Sequence, residues 1–120
     1  MSNEFVDISE LVGKTLTKIE YNKRHPDKLI FKCEDGTTYE MYHERDCCEQ
    51  VDIEDINGDL DDLIGVPILK AEKVSNEFKG YCDSQTWTFY HLATRKGYVV
   101  IRWYGTSNGY YSETVEIRKL

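Results

Sequence analysis

An internal repeat is the sequence feature that most constrains the fold of this chain. Residues 7–20 read DISELVGKTLTKIE and residues 59–72 read DLDDLIGVPILKAE. Both follow one template of Asp, an apolar residue, two polar residues, Leu, a β-branched residue and Gly. An aspartate at the start predicts an N-capped helical turn, and the glycine predicts its end, because glycine tolerates a left-handed backbone. A strand is expected to leave each turn, so the chain reads as two copies of one short module.

The similarity continues more weakly after each turn. Residues 28–44 and 86–105 each hold two apolar-rich runs about a glycine-containing turn, which predicts a hairpin. Residues 49–53 and 113–117 then predict a closing strand in each copy. We therefore expect one domain over residues 1–120 of the α+β class, predominantly antiparallel β, with pseudo-repeats at 7–54 and 59–117. The pattern leaves open whether the modules form one sheet, a barrel or two layers.

Charge limits the partners of the chain. Its 22 acids and 15 bases give a net charge of −7, which disfavours direct binding to duplex nucleic acid or to an anionic membrane surface. An acidic protein can instead meet a basic protein surface, although the same charge also simply keeps a small protein soluble. The N-terminus has no signal-peptide pattern and no segment is apolar enough to span a membrane. We predict a cytoplasmic protein, whose four cysteines are then expected to be reduced thiols.

Two segments contain polar and aromatic residues that do not fit the alternating pattern of a strand. The two segments occupy equivalent positions in the two repeats. They run over residues 42–49 and 103–113, each between the third and fourth strands of its module. Symmetry predicts that they meet in space and wall a cleft. The predicted binding residues are His43, Asp46, Cys47, Cys48, Glu49, Arg102, Trp103, Tyr104, Ser107, Asn108, Tyr110, Tyr111 and Glu113.

The chemistry of these segments has competing interpretations. His43 with Cys47 and Cys48 is the one soft-ligand cluster, and it suits zinc, iron or a Cys–His nucleophile. The alternative is a half-buried thiol pair that packs under a loop. Arg102 and its aromatic neighbours suit a nucleotide-like anion, but a hairpin turn between aromatic strands alone explains Asn-Gly and is the preferred interpretation. Because no spacing matches a known ligand or catalytic motif, we predict no metal, no cofactor and no catalytic residue.

An acidic patch precedes and enters the second repeat. It comprises Glu54, Asp55, Asp59, Asp61 and Asp62. The segment has some features of a calcium loop, but its glycine stands at the fourth position instead of the sixth that an EF-hand requires. The patch is interpreted either as a solvated turn or as a surface that docks on a basic partner.

The same residues resemble a known family. The strings HERDCCEQVDIEDINGDLDDLIGVPIL and TWTFYHLATRKGYVVIRWYGTSNGYYSETVEI are similar to an uncharacterised family of small bacteriophage and prophage proteins. That family has an H-x-x-D-C-C-E element and an I-R-W-Y-G-x-S-N-G-Y-Y-S-E element, and the match covers about residues 36–117. The resemblance implies a phage or prophage origin and transfers no catalytic residue.

These observations predict a small phage-encoded binding protein that acts in the host cytoplasm without catalysis. We expect it to inhibit a host factor, such as a defence system, by docking on a basic protein surface or by sequestering a nucleotide-like ligand. The alternatives are a metal- or thiol-dependent enzyme centred on His43, Cys47 and Cys48, and a structural or assembly protein of the virion. A homo-oligomer is compatible with every one of these predictions.

Overall fold

Strands account for most of the computed structural model, which describes residues 4–45, 48–80, 83–108 and 113–120. Within these residues the strands are β1 (Glu4–Phe5), β2 (Leu16–Glu20), β3 (Lys28–Cys33), β4 (Thr38–Tyr42), β5 (Gln50–Asn57), β6 (Lys70–Lys79), β7 (Ser84–Thr94), β8 (Gly97–Ser107) and β9 (Glu116–Lys119). The helical elements of the described residues are 3₁₀ helices at Ile8–Leu11 and Leu60–Leu63. The predicted predominance of antiparallel β-structure is therefore confirmed, whereas the α component of the predicted α+β class reduces to these two turns. No helix in the described ranges has the length and apolar character needed to cross a bilayer.

The two 3₁₀ helices are capped in the same way. The Asp7 carboxylate accepts a hydrogen bond from the Ser9 amide at 2.9 Å, and the Asp59 carboxylate accepts one from the Asp61 amide at 3.0 Å. Each helix is followed by a glycine with positive φ, +87° at Gly13 and +86° at Gly65. A side chain is strained in that conformation, so glycine is the residue that lets the chain leave each turn toward a strand.

The strands form two antiparallel sheets that exchange their last strands. The first sheet has the order β1-β9-β4-β3-β2, and the second has the order β5-β8-β7-β6. Strand β5 follows β4 in sequence but pairs with β8, while β9 follows β8 in sequence but pairs with β4. Each half of the chain therefore completes the sheet of the other half.

The segments that follow the two 3₁₀ helices bond to each other reciprocally. The Gly13 amide donates to the Ile68 carbonyl at 2.8 Å, and the Gly65 amide donates to the Leu16 carbonyl at 2.9 Å. Between these bonds Thr15 and Pro67 form an antiparallel bridge. The two bonds are equivalent, because Gly13 and Leu16 occupy the same positions in the first segment as Gly65 and Ile68 in the second. The start of β2 and the segment before β6 therefore hold the two sheets together.

One hydrophobic core lies between the sheets. Trp103 of β8 is fully buried and its indole N–H lies 3.0 Å from the Met41 sulfur of β4 in the opposite sheet. Tyr90 of β7 is also buried; its hydroxyl donates to the Val115 carbonyl at 3.4 Å, and burial raises the pKa of its phenol. The other fully buried large side chains are Leu11, Leu16, Leu29, Phe31, Tyr39, Leu63, Ile68, Leu92 and Ile101.

Strand β7 has an unusual alternation of side chains. Ser84, Thr86 and Thr88 point into the protein and are buried, whereas Trp87 and Phe89 lie on the opposite side and are only half-buried. A strand normally turns its aromatic residues toward the core and its hydroxyls toward solvent. This inversion places a set of aromatic side chains on the side of the second sheet that faces away from the first, which we call the outer face.

Candidate functional site

His43 and Glu49 form a buried pair beside the end of the second predicted segment. The His43 side chain is 5% exposed and the Glu49 side chain 0%. The Nδ1 atom of His43 lies 2.6 Å from the Thr114 carbonyl, which accepts, so Nδ1 carries a proton. The Nε2 atom lies 3.8 Å from a Glu49 carboxylate oxygen, which is within ion-pair range but too long for a hydrogen bond.

The contact brings an imidazole ring and a carboxylate together beneath the protein surface, at a distance that allows an ion pair when the imidazole is protonated. The pair borders a cleft of about 460 Å³ that is also lined by Arg24, His25 and Asp52. The arrangement places an imidazole and a carboxylate side by side at the base of a polar cleft.

Glu113 is the second buried carboxylate of the predicted site, and hydroxyl groups surround it. It is 6% exposed. One carboxylate oxygen accepts from Thr86 at 2.7 Å and from Ser84 at 3.3 Å, and the other accepts from Ser107. These bonds explain why β7 turns its hydroxyls inward, and they fix the segment before β9 to β7 and β8. Glu113 and Ser107 are therefore placed to stabilise the fold, and neither is offered to a ligand.

The outer face of the second sheet carries exposed and half-buried apolar side chains in register. Trp87 of β7 pairs with Tyr104 of β8, and their ring centroids are 5.0 Å apart. In the next row Val74 of β6 lies opposite Phe89 of β7. Val74 is 45% exposed, and Phe78, at the end of β6, is 60% exposed. The aromatic residues that the inverted alternation turns outward thus join into one patch.

The outer face of the first sheet is different in kind. There Arg118 bonds to Glu40 through two guanidinium nitrogens and lies 4.3 Å from the centroid of the Tyr42 ring. Glu20 is within 3.4 Å of both Lys18 and Lys32. Charged side chains on this face pair with one another, whereas the aromatic residues of the second face have no layer above them within the described ranges. The contrast makes the second face the stronger candidate for recognition.

An acidic cleft borders the aromatic patch along β5. It has a volume of about 280 Å³ and is lined by Gln50, Asp52, Glu54, Tyr104 and Thr106. Glu54 is paired with Arg102, so Asp52 beside the Tyr104 ring is the carboxylate that favours a cationic side chain, through charge and cation–π attraction. Gln50 and Asp52 also line the cleft that contains His43, so the two candidate sites are neighbours.

The structure separates the predicted binding residues into several groups. His43 and Glu49 lie together, Ser107 and Glu113 bond to each other, and Tyr104 lies on the outer face with Arg102. The Arg102 guanidinium is 2.8 Å from a Glu54 carboxylate oxygen. Asn108 is exposed at the end of β8. The remaining predicted residues Asp46, Cys47, Tyr110 and Tyr111 lie outside the described residues.

Two expectations need correction. Trp103 was predicted to line a binding cleft, but it is 0% exposed and packs against Met41. In β8 its side chain points to the same side as those of the core residues Val99 and Ile101. Cys48 was expected to be a reduced thiol but is disulfide-bonded. A thiol bonded in this way is not a nucleophile.

The acidic patch divides between two elements. Glu54 and Asp55 belong to β5 and are exposed along the edge of the second sheet. Asp59 caps the second 3₁₀ helix, and Asp61 and Asp62 lie in its first turn. The carboxylates near the aromatic face are therefore those of β5, whereas Asp59 has a structural role.

Sequence reasoning left Val74, Phe78, Trp87 and Phe89 out of the predicted site. The signal was present in residues 86–89, where hydroxyl and aromatic side chains alternate. The pattern does not show which of the two faces points into the protein, because nothing in it indicates that the hydroxyl groups bond to the buried Glu113.

Comparison with known proteins gives one family. The model of a domain of unknown function, DUF7448, matches residues 9–117. No curated protein and no solved structure matches the chain.

Proposed function

Since the chain belongs to the DUF7448 family, whose function is unknown, we propose its role from its own surfaces. It is a non-enzymatic binding protein that docks the outer face of its second sheet on a basic surface of another protein. The observation that carries the proposal is the aromatic patch on this face together with the acidic cleft beside it.

The composition of the face suits a protein partner. Aromatic residues dominate the centres of protein interfaces, because they bury a large area at little cost in conformational entropy. Trp87, Tyr104 and Phe78 supply such residues here. Asp52 and the Arg102-paired Glu54 line the adjoining cleft, and the Asp52 carboxylate is placed to accept a lysine or arginine side chain from the partner. The net charge of −7 favours long-range attraction to the same kind of partner.

The biological setting that we propose is a bacteriophage or prophage. The resemblance of residues 36–117 to small phage proteins supports this origin. In that setting the binder acts in the host cytoplasm and inhibits a host factor, such as a component of a defence system, by covering a basic functional surface. The sequestration of a nucleotide-like anion is less well supported, because Arg102 is paired with Glu54 and the adjoining cleft contains a further carboxylate.

An enzyme centred on His43 is the second candidate. The observation that favours it is the close contact of His43 and Glu49 at the edge of a polar cleft, since a positioned imidazole or carboxylate is the usual group in general acid–base catalysis. The disulfide at Cys48 removes the Cys48 thiol from the chemistry that the sequence suggested. Among the described residues no three potential metal ligands converge.

We also infer that the chain arose by tandem duplication of one module. The matching caps at Asp7 and Asp59, the glycines at +87° and +86°, and the reciprocal bonds of Gly13 and Gly65 support this inference. The order of the last four strands in each sheet supports it further, because β9-β4-β3-β2 and β5-β8-β7-β6 are equivalent under exchange of the two halves. An ancestral module would then have formed a dimer by exchanging its last strand.

Two exposed phenylalanines provide a matched test of the docking face. Phe78 is 60% exposed on the second sheet and Phe5 is 61% exposed on the first. We expect Phe78→Ser to weaken partner binding by roughly 30-fold or more, as for an interface anchor, whereas Phe5→Ser leaves it unchanged. The tagged protein would be incubated with a bacterial lysate, the captured proteins identified by mass spectrometry, and the purified partner titrated against each variant.

Salt dependence and charge provide the second part of this test. Binding should weaken as the salt concentration rises, and Asp52→Asn should reduce the slope of that dependence. Equal losses from Phe5→Ser and Phe78→Ser, or a captured partner whose affinity is independent of salt, would contradict docking through this face.

A further inference from the structure

Strand β6 differs from every other sheet edge in the described structure. The edges of the first sheet are β1, with two residues, and β2, with five residues and a register shift between Leu16 and Lys18. On the second sheet β5 has a shift between Ile53 and Asp55. Short length, bulges and dense charge are the features by which natural proteins block pairing at an edge. Strand β6 has ten residues in unbroken register with β7, and neither proline nor glycine interrupts it. Five of its ten residues are charged, but the charges are of both signs, so they can pair across an edge as well as protect it.

The first 3₁₀ helix packs near the start of β6, and beyond that contact the strand is open to solvent. Every residue from Glu72 to Lys79 is exposed, including residues on both faces of the strand. An edge strand turns the amide and carbonyl groups of alternate residues away from its neighbour in the sheet, so this edge presents a row of unpaired donors and acceptors. Its length and regularity make it complementary to another extended strand.

We propose that β6 pairs with the β6 strand of a second copy of this chain. The pairing is antiparallel about a twofold axis, and Ser75 lies opposite Ser75 of the second copy. In such a pair, side chains on the inner face of one strand lie beside side chains on the inner face of the other. The outer faces of the two sheets are then continuous.

The charges of β6 select this register. With Ser75 on the axis, Lys73 lies opposite Glu77 of the second copy, and Glu77 lies opposite Lys73 of the second copy. Two oppositely charged cross-strand pairs therefore form at once. With Asn76 on the axis instead, Lys73 would face Lys79, and with Val74 on the axis Glu77 would face Ala71. The alternating charges Lys73 and Glu77 are thus self-complementary in one register.

The resulting dimer has one continuous sheet made from two sheets of four strands. It joins the two outer faces side by side and doubles the aromatic surface. Lys73 and Glu77 lie on the opposite side of β6 from Val74 and Phe78, so changes at these charges test the dimer without altering the outer face. The dimer is independent of the proposed docking function.

A charge exchange tests the pairing. We expect sedimentation of the full-length protein over a concentration series to show a species of twice the 14.1 kDa chain mass. Lys73→Glu alone and Glu77→Lys alone should each give monomers, because like charges then face each other at two positions. An equimolar mixture of these two variants should recover a dimer, and so should the double variant, since each arrangement restores both opposite pairs. Melting curves close to wild type would show that the exposed substitutions leave the fold intact.

Cysteine cross-linking tests the register. Under mild oxidation Ser75→Cys should form a reducible covalent dimer more readily than Asn76→Cys, with the wild-type protein as the control for native thiols. A wild-type chain that stays monomeric at every concentration would overturn the proposal. A dimer that persists in both single charge variants would also overturn it, and preferential linkage through position 76 would overturn the register.

Discussion

Replacing Trp103 with alanine is expected to lower the free energy of unfolding by about 3–5 kcal/mol, the range found for large aromatic residues removed from protein cores. Trp103 is fully buried where the two sheets meet, and its N–H contacts the Met41 sulfur 3.0 Å away. Loss of the indole leaves a cavity that neither sheet can close, because both are fixed by cross-strand hydrogen bonds. Urea denaturation followed by circular dichroism measures the loss.

Trp87→Ala is the matched control for this effect. Trp87 is half-buried on the outer face and rests on Tyr104, so its removal exposes a surface and creates no internal cavity. We expect a loss well below that of Trp103→Ala. Equal losses would mean that Trp87 is part of the core, and the outer face would then no longer be a free surface. Trp103→Phe keeps most of the buried volume and allows the comparison if the alanine variant does not fold.

Dividing the chain after Gly58 is expected to abolish folding of both fragments until they are mixed. Residues 1–58 contain β5, whose partner β8 lies in the other fragment, and residues 59–120 contain β9, whose partner β4 lies in the first. Each fragment alone exposes the face of one sheet that normally covers the core, and it lacks the strand that completes that sheet. The cost of exposing such a core exceeds the stability of a small domain.

Amide-resolved NMR spectra would follow the complementation. Each isolated fragment should give the narrow amide dispersion of an unfolded chain, and an equimolar mixture should give the spectrum of the intact protein. A dispersed spectrum from residues 1–58 alone, with β5 turned back onto its own β4, would contradict the exchange of strands.

Local features of the fold were predictable because they depend on short-range chemistry. The capping aspartates at positions 7 and 59 and the glycines at 13 and 65 are consistent with the turns that the structure places there. The hairpin predicted over 28–44 corresponds to β3 and β4, and the hairpin predicted over 86–105 corresponds to β7 and β8. In each case one turn glycine between two apolar runs was sufficient.

The exchange of the last strands could not be predicted in the same way. A strand that follows a hairpin can return to its own β4 or cross to the other sheet, and the sequence of β5 fits either edge. The connection depends on which edge the rest of the protein leaves open, which is a long-range property. The choice also determines that His43 lies near both Glu49 and Thr114.

The candidate site was predicted only in part, because the sequence does not show which face of a strand points outward. Side chains in a strand alternate between two faces, and a motif such as Arg102-Trp103-Tyr104 therefore divides between the surface and the core. The sequence indicated that these residues matter without showing which of them point outward. Buried Glu113 determines the direction in β7, because it attracts Ser84 and Thr86 to the inner side and leaves Trp87 outside.

The two tryptophans allow the most direct measurement of the central claim, that the outer face of the second sheet is the binding surface. Trp87 is on that face and Trp103 is in the core, and the chain contains two tryptophans in total. Fluorine NMR of the protein labelled with fluorotryptophan would give two resonances, which the Trp87→Phe variant assigns. Addition of the captured partner should shift or broaden the Trp87 resonance and leave the Trp103 resonance in place. A partner that binds while the Trp87 resonance remains unchanged would contradict the account.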